Sequence, residues 1–495
     1  MKKLTPVFYL SISISIVFIL WGALAPSHLE SVATNLQISL QVKFGWLYHL
    51  IVGMILLFSV YLAFSKYGKI KLGTDNEKPE YSTFSWFAML FSAGMGIGLV
   101  FWGVAEPLSH YYEPPIGDAQ SQVAAKNALP LTFFHWGLHL WAIYALVALA
   151  LAYFKFRRNL PGTISATFYP LLGDYVKGPM GMIIDTVAVI ATVFGVATSL
   201  GFGAIQINGG MHYLHNGVPY EFSTQFVIII GITILFMISV FLGIEKGMKW
   251  MSNINIILAI LLLCFFLRFG PTSFLVNLFI ASLGKYAEFL PKINFNLAPL
   301  SESGNKWIHD WTIFYWAWWI SWSPFVGSFI ARISKGRTIQ EFVIGVLAAP
   351  TIFCALWFTV LGGTGIHFEL FGGGGIWQEM NQGSNSENAL FATLIQLPFG
   401  TITIILSIIL IGTFFITSAD SATFVMGMQT TNGMLHPPNQ IKAIWGVIQA
   451  AAAVVLLWSG GLNGLQSAAI ASAFPFTVIL IFLMISLHKG LQEEK

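Results

Sequence analysis

About 20 mainly apolar residues make the length at which an α-helix crosses a bilayer, and this chain carries about twelve such segments in succession. They fall near 7–26, 45–65, 84–105, 128–154, 180–207, 223–243, 253–270, 309–333, 339–363, 394–424, 440–459 and 466–487. In hydrocarbon every backbone N–H and C=O must bond within the protein, so segments of this length are helices. The expected class is an all-α membrane protein with about 12 transmembrane helices. Charge supports this: 9% of residues are charged, against roughly 25% in a soluble domain, too few to cover a globule in water. The first segment is longer and cleaner than a cleaved leader. The longest polar gap, the Gly- and Asn-rich stretch 366–390, reads as loop, and no soluble domain fits anywhere. The mixed stretch 272–305, with Lys285, Glu288 and Lys292 among Phe and Leu, reads in part as a helix lying along the interface.

Basic residues fix the expected orientation. With the N-terminus inside, one side holds Lys2 and Lys3, Lys66 to Lys78, Lys155, Arg157 and Arg158, Lys246 and Lys249, Arg332, Lys335 and Arg337, Lys442, Lys489 and Lys495. The other side holds Lys43, Lys126 and the interfacial lysines, so both termini are expected in the cytoplasm. A net charge of +3 with no basic patch gives no reason to expect a nucleic acid partner. Cys264 and Cys354 lie in apolar runs, which argues against a disulfide framework or a thiolate metal site. The polar segments hold no P-loop, nucleophile–base pair or paired catalytic carboxylates, so neither an enzyme nor an ATP-driven pump is expected. His135 and His139 have metal-ligand spacing but no third ligand near them in sequence. Asp185 and Asp420 are intramembrane carboxylates, read mainly as structural acceptors near helix ends.

Two spans carry irregular centres. The third contains Gly94-Met95-Gly96-Ile97-Gly98, the eighth Ser321-Trp322-Ser323-Pro324, and both read as places where a helix unwinds. Breaks at matching positions of two halves point to a transporter site. The eighth span is also crowded with aromatics: Trp311, Phe314, Tyr315, Trp316, Trp318, Trp319, Trp322, Phe325 and Phe329. Trp319 and Trp322 share a face, and the fourth span adds Trp136, Trp141 and Tyr144. Clustered indole faces suit a cation that donates no hydrogen bonds, a quaternary ammonium held by cation–π attraction. In the tenth span Thr417 and Ser418 offer hydroxyl oxygens which, beside the unwound glycines, suit sodium.

The run Gly94-Met95-Gly96-Ile97-Gly98 followed by Glu106-Pro107, with Trp318-Trp319-Ile320-Ser321-Trp322-Ser323-Pro324-Phe325, resembles the betaine/choline/carnitine transporter family over nearly the whole chain. The resemblance implies a leucine-transporter-like inverted repeat of two five-helix units, spans 3–7 and 8–12, after two extra N-terminal helices. The corresponding divisions are 1–83, 84–270, 271–308 for the interfacial helix and loop, 309–488, and a short tail 489–495. It implies a substrate cage of Trp136, Trp141, Tyr144 and Trp319, a pathway lined by Trp318, Trp322 and Phe329, and substrate contact at Met95 and Gly96. It implies a sodium site from backbone oxygens near Ser92, Ala93 and Met95 with Phe414, Thr417 and Ser418, no cofactor, and a homotrimer in a bacterial plasma membrane. A second sodium site of some members needs two hydroxyls one turn apart, where this chain has Thr192 and Val196. Sodium-independent members carry an arginine on the seventh span, where residues 251–267 have no basic group. The expected function is sodium symport of glycine betaine or a related osmoprotectant, with proton-coupled choline uptake as the alternative.

Overall fold

The computed structural model describes residues 4–94, 96–242, 244–381, 385–434 and 436–494. Its long helices are Pro6–Leu24 (α1), Pro26–Phe64 (α2), Thr83–Gly94 (α3), Ile97–Tyr112 (α4), Gln122–Trp136 (α5), Leu138–Ala152 (α6), Pro179–Leu214 (α7), Phe222–Leu242 (α8), Ile244–Phe269 (α9), Thr272–Ile293 (α10), Phe314–Ile333 (α11), Ile339–Phe371 (α12), Gly400–Gln429 (α13) and Asn439–Gln492 (α14). Among the described residues, ten helices are long and apolar enough to cross a membrane. Among the described residues the one extended pairing is an isolated bridge between Lys71 and Thr338, which ties the loop after α2 to the turn before α12. Beside it Lys335 pairs with Glu77 and holds that carboxyl below the usual carboxylate range.

Several boundaries differ from the sequence expectation, each for a local reason. α2 begins at Pro26 rather than near 45, because proline suits the first helical turn and no glycine or proline interrupts the chain before Gly45. The stretch expected as loop at 366–390 is partly helical: α12 runs to Phe371 and Ile376–Asn381 forms a further turn. Glu369 organises that segment by accepting the Trp377 amide at 2.9 Å and the Tyr112 hydroxyl, while Tyr112 stacks on Trp377 at 4.4 Å. α14 turns at Gly461, whose φ of 53° is left-handed. A Cβ on Gly464 would lie 2.6 Å from the Leu456 carbonyl oxygen, whereas eight residues of straight helix span about 12 Å, so 439–460 and 462–492 are separate arms.

The unwinding of the third span is present: α3 ends at Gly94 and α4 starts at Ile97, with Gly96 extended at φ −147°. The break expected in the eighth span is absent. α11 passes through Pro324 unbroken, preceded by Glu302–Trp307 and a π-helical turn at Ile308–Ile313. Pro324 lacks the N–H that would bond the Ile320 carbonyl, and the Ser323 hydroxyl donates to that carbonyl instead at 2.7 Å. Ser321 donates likewise to Trp318 O. A second break, not expected from sequence, divides the fourth span at Gly137 (φ −99°, ψ −132°). A Cβ there would sit 2.5 Å from Phe133 O and 3.0 Å from the Tyr286 hydroxyl, so the turn has room only for glycine.

α11 occupies the centre, with nearly every residue from Phe314 to Gly327 buried against α6, α7 and α14. α4 reaches it from the other side and is held by α12, where Gly362 brings the two backbones together against Pro107 and the Gly103 carbonyl. Replacing Ser323 with Ala strips the donor from the Ile320 carbonyl and is expected to destabilise the protein by about 1 kcal/mol, read as a lower Tm in detergent. Ser303→Ala, on an exposed residue, serves as the control and leaves Tm unchanged.

Candidate substrate-binding site

Two helix ends freed by the breaks at Gly96 and Gly137 meet the central helix α11. The His135 carbonyl near the broken end of α5 accepts the Trp319 indole N–H at 3.0 Å. The Leu138 amide, first in α6, has no carbonyl of a preceding helical turn to donate to and donates instead to the Tyr286 hydroxyl of α10 at 3.3 Å. At the other break, a Cβ placed on Gly96 would meet Trp322 Cη2 at 3.6 Å and Ser418 Oγ at 3.8 Å. Those are ordinary contacts, and a φ of −147° suits any residue, so a single methyl fits at Gly96. Gly98 is far tighter: a Cβ there would lie 2.5 Å from Trp318 Cη2 and 3.0 Å from Trp136 Cη2.

Most of the aromatic residues expected at the site converge. Trp318 and Trp319 stack at 4.5 Å and 18°, Tyr315 stacks on Trp319 at 5.7 Å, and Trp136 meets Trp319 edge-on at 4.8 Å. These geometries are the favoured offset and T-shaped pairs. All four rings are buried. Their polar atoms are anchored, Trp318 Nε1 to Ser199 Oγ at 3.3 Å and Trp322 Nε1 to Gly195 O at 2.7 Å. Trp141 and Tyr144 form their own T-shaped pair at 5.7 Å on α6, and among the described residues no ring contact joins them to Trp136 or Trp319. Phe329 lies two turns below Trp322, half-buried and without a ring partner among the described residues.

Directly behind Trp136 sits Glu106, fully buried on α4. Its Oε2 accepts from Trp136 Nε1 at 2.6 Å and from the Tyr315 hydroxyl at 2.5 Å. Its Oε1 lies 2.7 Å from His135 Nδ1 and 3.2 Å from His110 Nε2. Glu106 and His110 thus stand where the sequence offered His135 no third metal ligand, and their ligand atoms lie within 4.8 Å of one another. His139 is not part of the group: its Nε2 bonds Asn294 Oδ1. Trp307 donates to His110 Nδ1 at 3.2 Å, which leaves the proton on Nε2 and makes that nitrogen a donor to Glu106 rather than a lone-pair ligand. The group is joined through protons.

Of the residues expected around sodium, Met95 and the side chains of Ser92 and Ala93 lie outside the described residues. Phe414 and Ser418 are buried on α13, with Ser418 turned toward Gly96. Thr417 faces another way: its hydroxyl bonds back to Thr413 O and Phe414 O and accepts Asn255 Nδ2 of α9 at 2.8 Å. Asn255 Oδ1 is buried beside it without a hydrogen-bond partner among the described residues. Asp185 and Asp420 act as structural acceptors, from the Ser165 amide and hydroxyl and from Ser239 Oγ.

Four residues at the site were not singled out in the sequence: His110, Gly137, Asn255, and Glu106 beyond its place in a motif. The signal for Glu106 was available, since a carboxylate in an apolar span is expensive unless it is used. Gly137 lies between Trp136 and an apolar run, with no proline or second glycine to mark it, and only the crowding by Tyr286 reveals its need.

Comparison with known proteins agrees with this geometry. The model of the betaine/carnitine/choline family of transporters matches residues 6–495. The chain is 50% identical to the glycine betaine transporter OpuD of Bacillus subtilis (strain 168), over 100% of this chain and 96% of that protein. It is 44% identical to a probable glycine betaine transporter of Desulfitobacterium hafniense (strain Y51), covering 100% and 98% respectively. It is also 44% identical to an ectoine/hydroxyectoine transporter of Virgibacillus pantothenticus, covering 99% and 96%. A helix broken at glycine against a wall of stacked indoles, and a family match along almost the entire sequence, lead to one conclusion: the chain belongs to the betaine/carnitine/choline family of transporters.

Proposed function

We propose that this protein is a secondary active transporter that imports glycine betaine, or a related quaternary-ammonium osmoprotectant, by sodium symport across a bacterial plasma membrane. The observation that carries the reading is the meeting of Trp136, Trp318 and Trp319 beside Gly98, in the first turn of α4 just after the break at Gly96. A trimethylammonium group has no N–H to donate, so packed indole faces are the partner its chemistry selects. The zwitterion's carboxylate would face the first amides of α4, where the helix dipole is positive. Two relatives are glycine betaine transporters or probable ones by name, which agrees with this substrate.

The proposed architecture has twelve spans. Beyond the ten apolar helices, the broken pair α3–α4 and the aromatic α11 each supply one; α14 supplies two, and α10 lies along the interface. Residues 84–270 and 309–488 form two inverted five-helix units after the N-terminal pair 1–83, with 271–308 between them and a tail at 489–495. The first span of each unit then meets the other at Gly96 and Trp322, the arrangement expected of alternating access about a central site. Both termini are cytoplasmic by the lysine distribution, and the assembly is a homotrimer by family resemblance. Sodium would bind Ser418, Thr417, Phe414 and the carbonyls near Ser92, Ala93 and Met95, with the unpartnered Asn255 Oδ1 as a further oxygen close to Thr417.

Uptake of radiolabelled betaine, choline, carnitine, ectoine and proline, with sodium replaced by potassium, tests the whole reading. Sodium-dependent betaine uptake is expected; choline uptake that follows a proton gradient would replace it with the alternative. Three variants test the site. Trp319→Leu removes one desolvated indole face, worth about 2 kcal/mol, and should raise the Kd for betaine at least about tenfold; an unchanged Kd would exclude the cage. Gly98→Ala drives a methyl into Trp318 and Trp136 and should weaken betaine binding clearly more than Gly96→Ala, whose methyl fits. The reverse order would show that these indoles do not touch substrate. Thr417→Ala combined with Ser418→Ala should raise the sodium concentration for half-maximal uptake, because backbone oxygens alone are too few for a dehydrated cation. Unaltered sodium dependence would move the ion elsewhere.

A further inference from the structure

We propose that Glu106 is an ionised positioning residue that supports the substrate cation from behind the aromatic wall and gives the site its preference for positive charge. The inference rests on the reading of this site as a quaternary-ammonium site.

The donors around the carboxylate define its state. An indole nitrogen donates and never accepts, so Trp136 Nε1 at 2.6 Å makes Oε2 an acceptor. Trp307, also donor-only, occupies His110 Nδ1, so His110 Nε2 carries the proton and makes Oε1 an acceptor. The Tyr315 hydroxyl adds a second donor at Oε2, and His135 Nδ1 at 2.7 Å a second at Oε1. With Thr312 Oγ1 donating to His135 Nε2 at 3.0 Å, the His135 proton lies on Nδ1, toward Glu106. In that tautomer the roughly four lone-pair sites of the carboxylate are all used. A buried anion is tolerable when every lone pair is taken by charge-assisted bonds, and a neutral acid would waste that set of donors.

The placement gives this charge a role at the site. The two rings that Glu106 holds, Trp136 and Tyr315, both contact Trp319, one edge-on at 4.8 Å and one stacked at 5.7 Å. Accepting an indole N–H and a phenol O–H draws the protons toward the carboxylate and leaves both ring faces more negative, which strengthens their attraction for a cation. The carboxylate adds its own field in a low-dielectric setting, where charges act over longer distances than in water. It never touches the substrate; it acts through the rings.

The test compares glycine betaine with its carbon isostere, tert-butylacetate, which has the same shape and carboxylate but no positive charge. Both are measured by competition against radiolabelled betaine on the purified full-length protein. In the wild type betaine binds more tightly. In Glu106→Gln, which keeps size and loses charge, the preference for betaine should fall about tenfold, or about 1.4 kcal/mol, with the isostere's affinity unchanged or raised. Glu106→Asp retains the charge and should keep the wild-type preference within about twofold even if both ligands bind less well. Equal losses for the two ligands in folded Glu106→Gln would show a purely structural role and overturn the proposal. A collapsed preference in folded Glu106→Asp would overturn it independently, and decides the matter if Glu106→Gln does not fold. A wild type that binds the two ligands equally would remove the quaternary-ammonium reading itself.

Discussion

A backbone in hydrocarbon has no water to turn to, and the architecture follows from how this chain meets that demand. At the Gly137 break other elements supply the missing partners. Tyr286 of α10 takes the Leu138 amide at the Gly137 break, and the Trp319 indole takes the His135 carbonyl on the other side. At Pro324 the partner is local, since the Ser323 hydroxyl replaces the absent N–H and α11 stays straight. The difference decides which spans bend at the site. α11 is an uninterrupted central helix that presents Trp318, Trp319 and Trp322 in helical register, and the interrupted backbone belongs to the spans packed around it.

Glu106 links this scaffold to the site chemistry. Set one turn before His110 on α4, it draws donors from α4, α5 and α11 onto one carboxylate, and so ties the helix after the Gly96 break to the helix before the Gly137 break. Burying an ion is costly unless its lone pairs are filled, and a filled one is difficult to displace. The indoles of the candidate cage are thus held by hydrogen bonds at their edges while their faces remain apolar, the combination a cation–π site needs.

Much of this was legible in the sequence because it depends on local chemistry. Helix class followed from segment length, the third-span break from three closely spaced glycines, and the aromatic cluster on α11 from tryptophans close in sequence. What was misread depended on partners distant in sequence. The rule that proline breaks helices failed at Pro324 because a neighbouring serine compensates, which only geometry shows. Gly137 breaks a helix where Tyr286, almost 150 residues later, stands to receive the freed Leu138 amide. The pairing of His135 with His139 by spacing was superseded by Glu106 and His110 from another helix. Thr417 and Ser418, adjacent in sequence, point about 100° apart on α13, so one faces Asn255 and the other Gly96.

The claim on which the rest depends is that the Trp136–Trp319 corner beside Gly98 holds the ammonium head of the substrate. A cryo-electron microscopy structure of the protein with glycine betaine and sodium tests it most directly. The account predicts trimethylammonium density against the faces of Trp136 and Trp319, with the carboxylate end toward the first turn of α4. Substrate density elsewhere, with those two rings still packed as they are in the free protein, would contradict it.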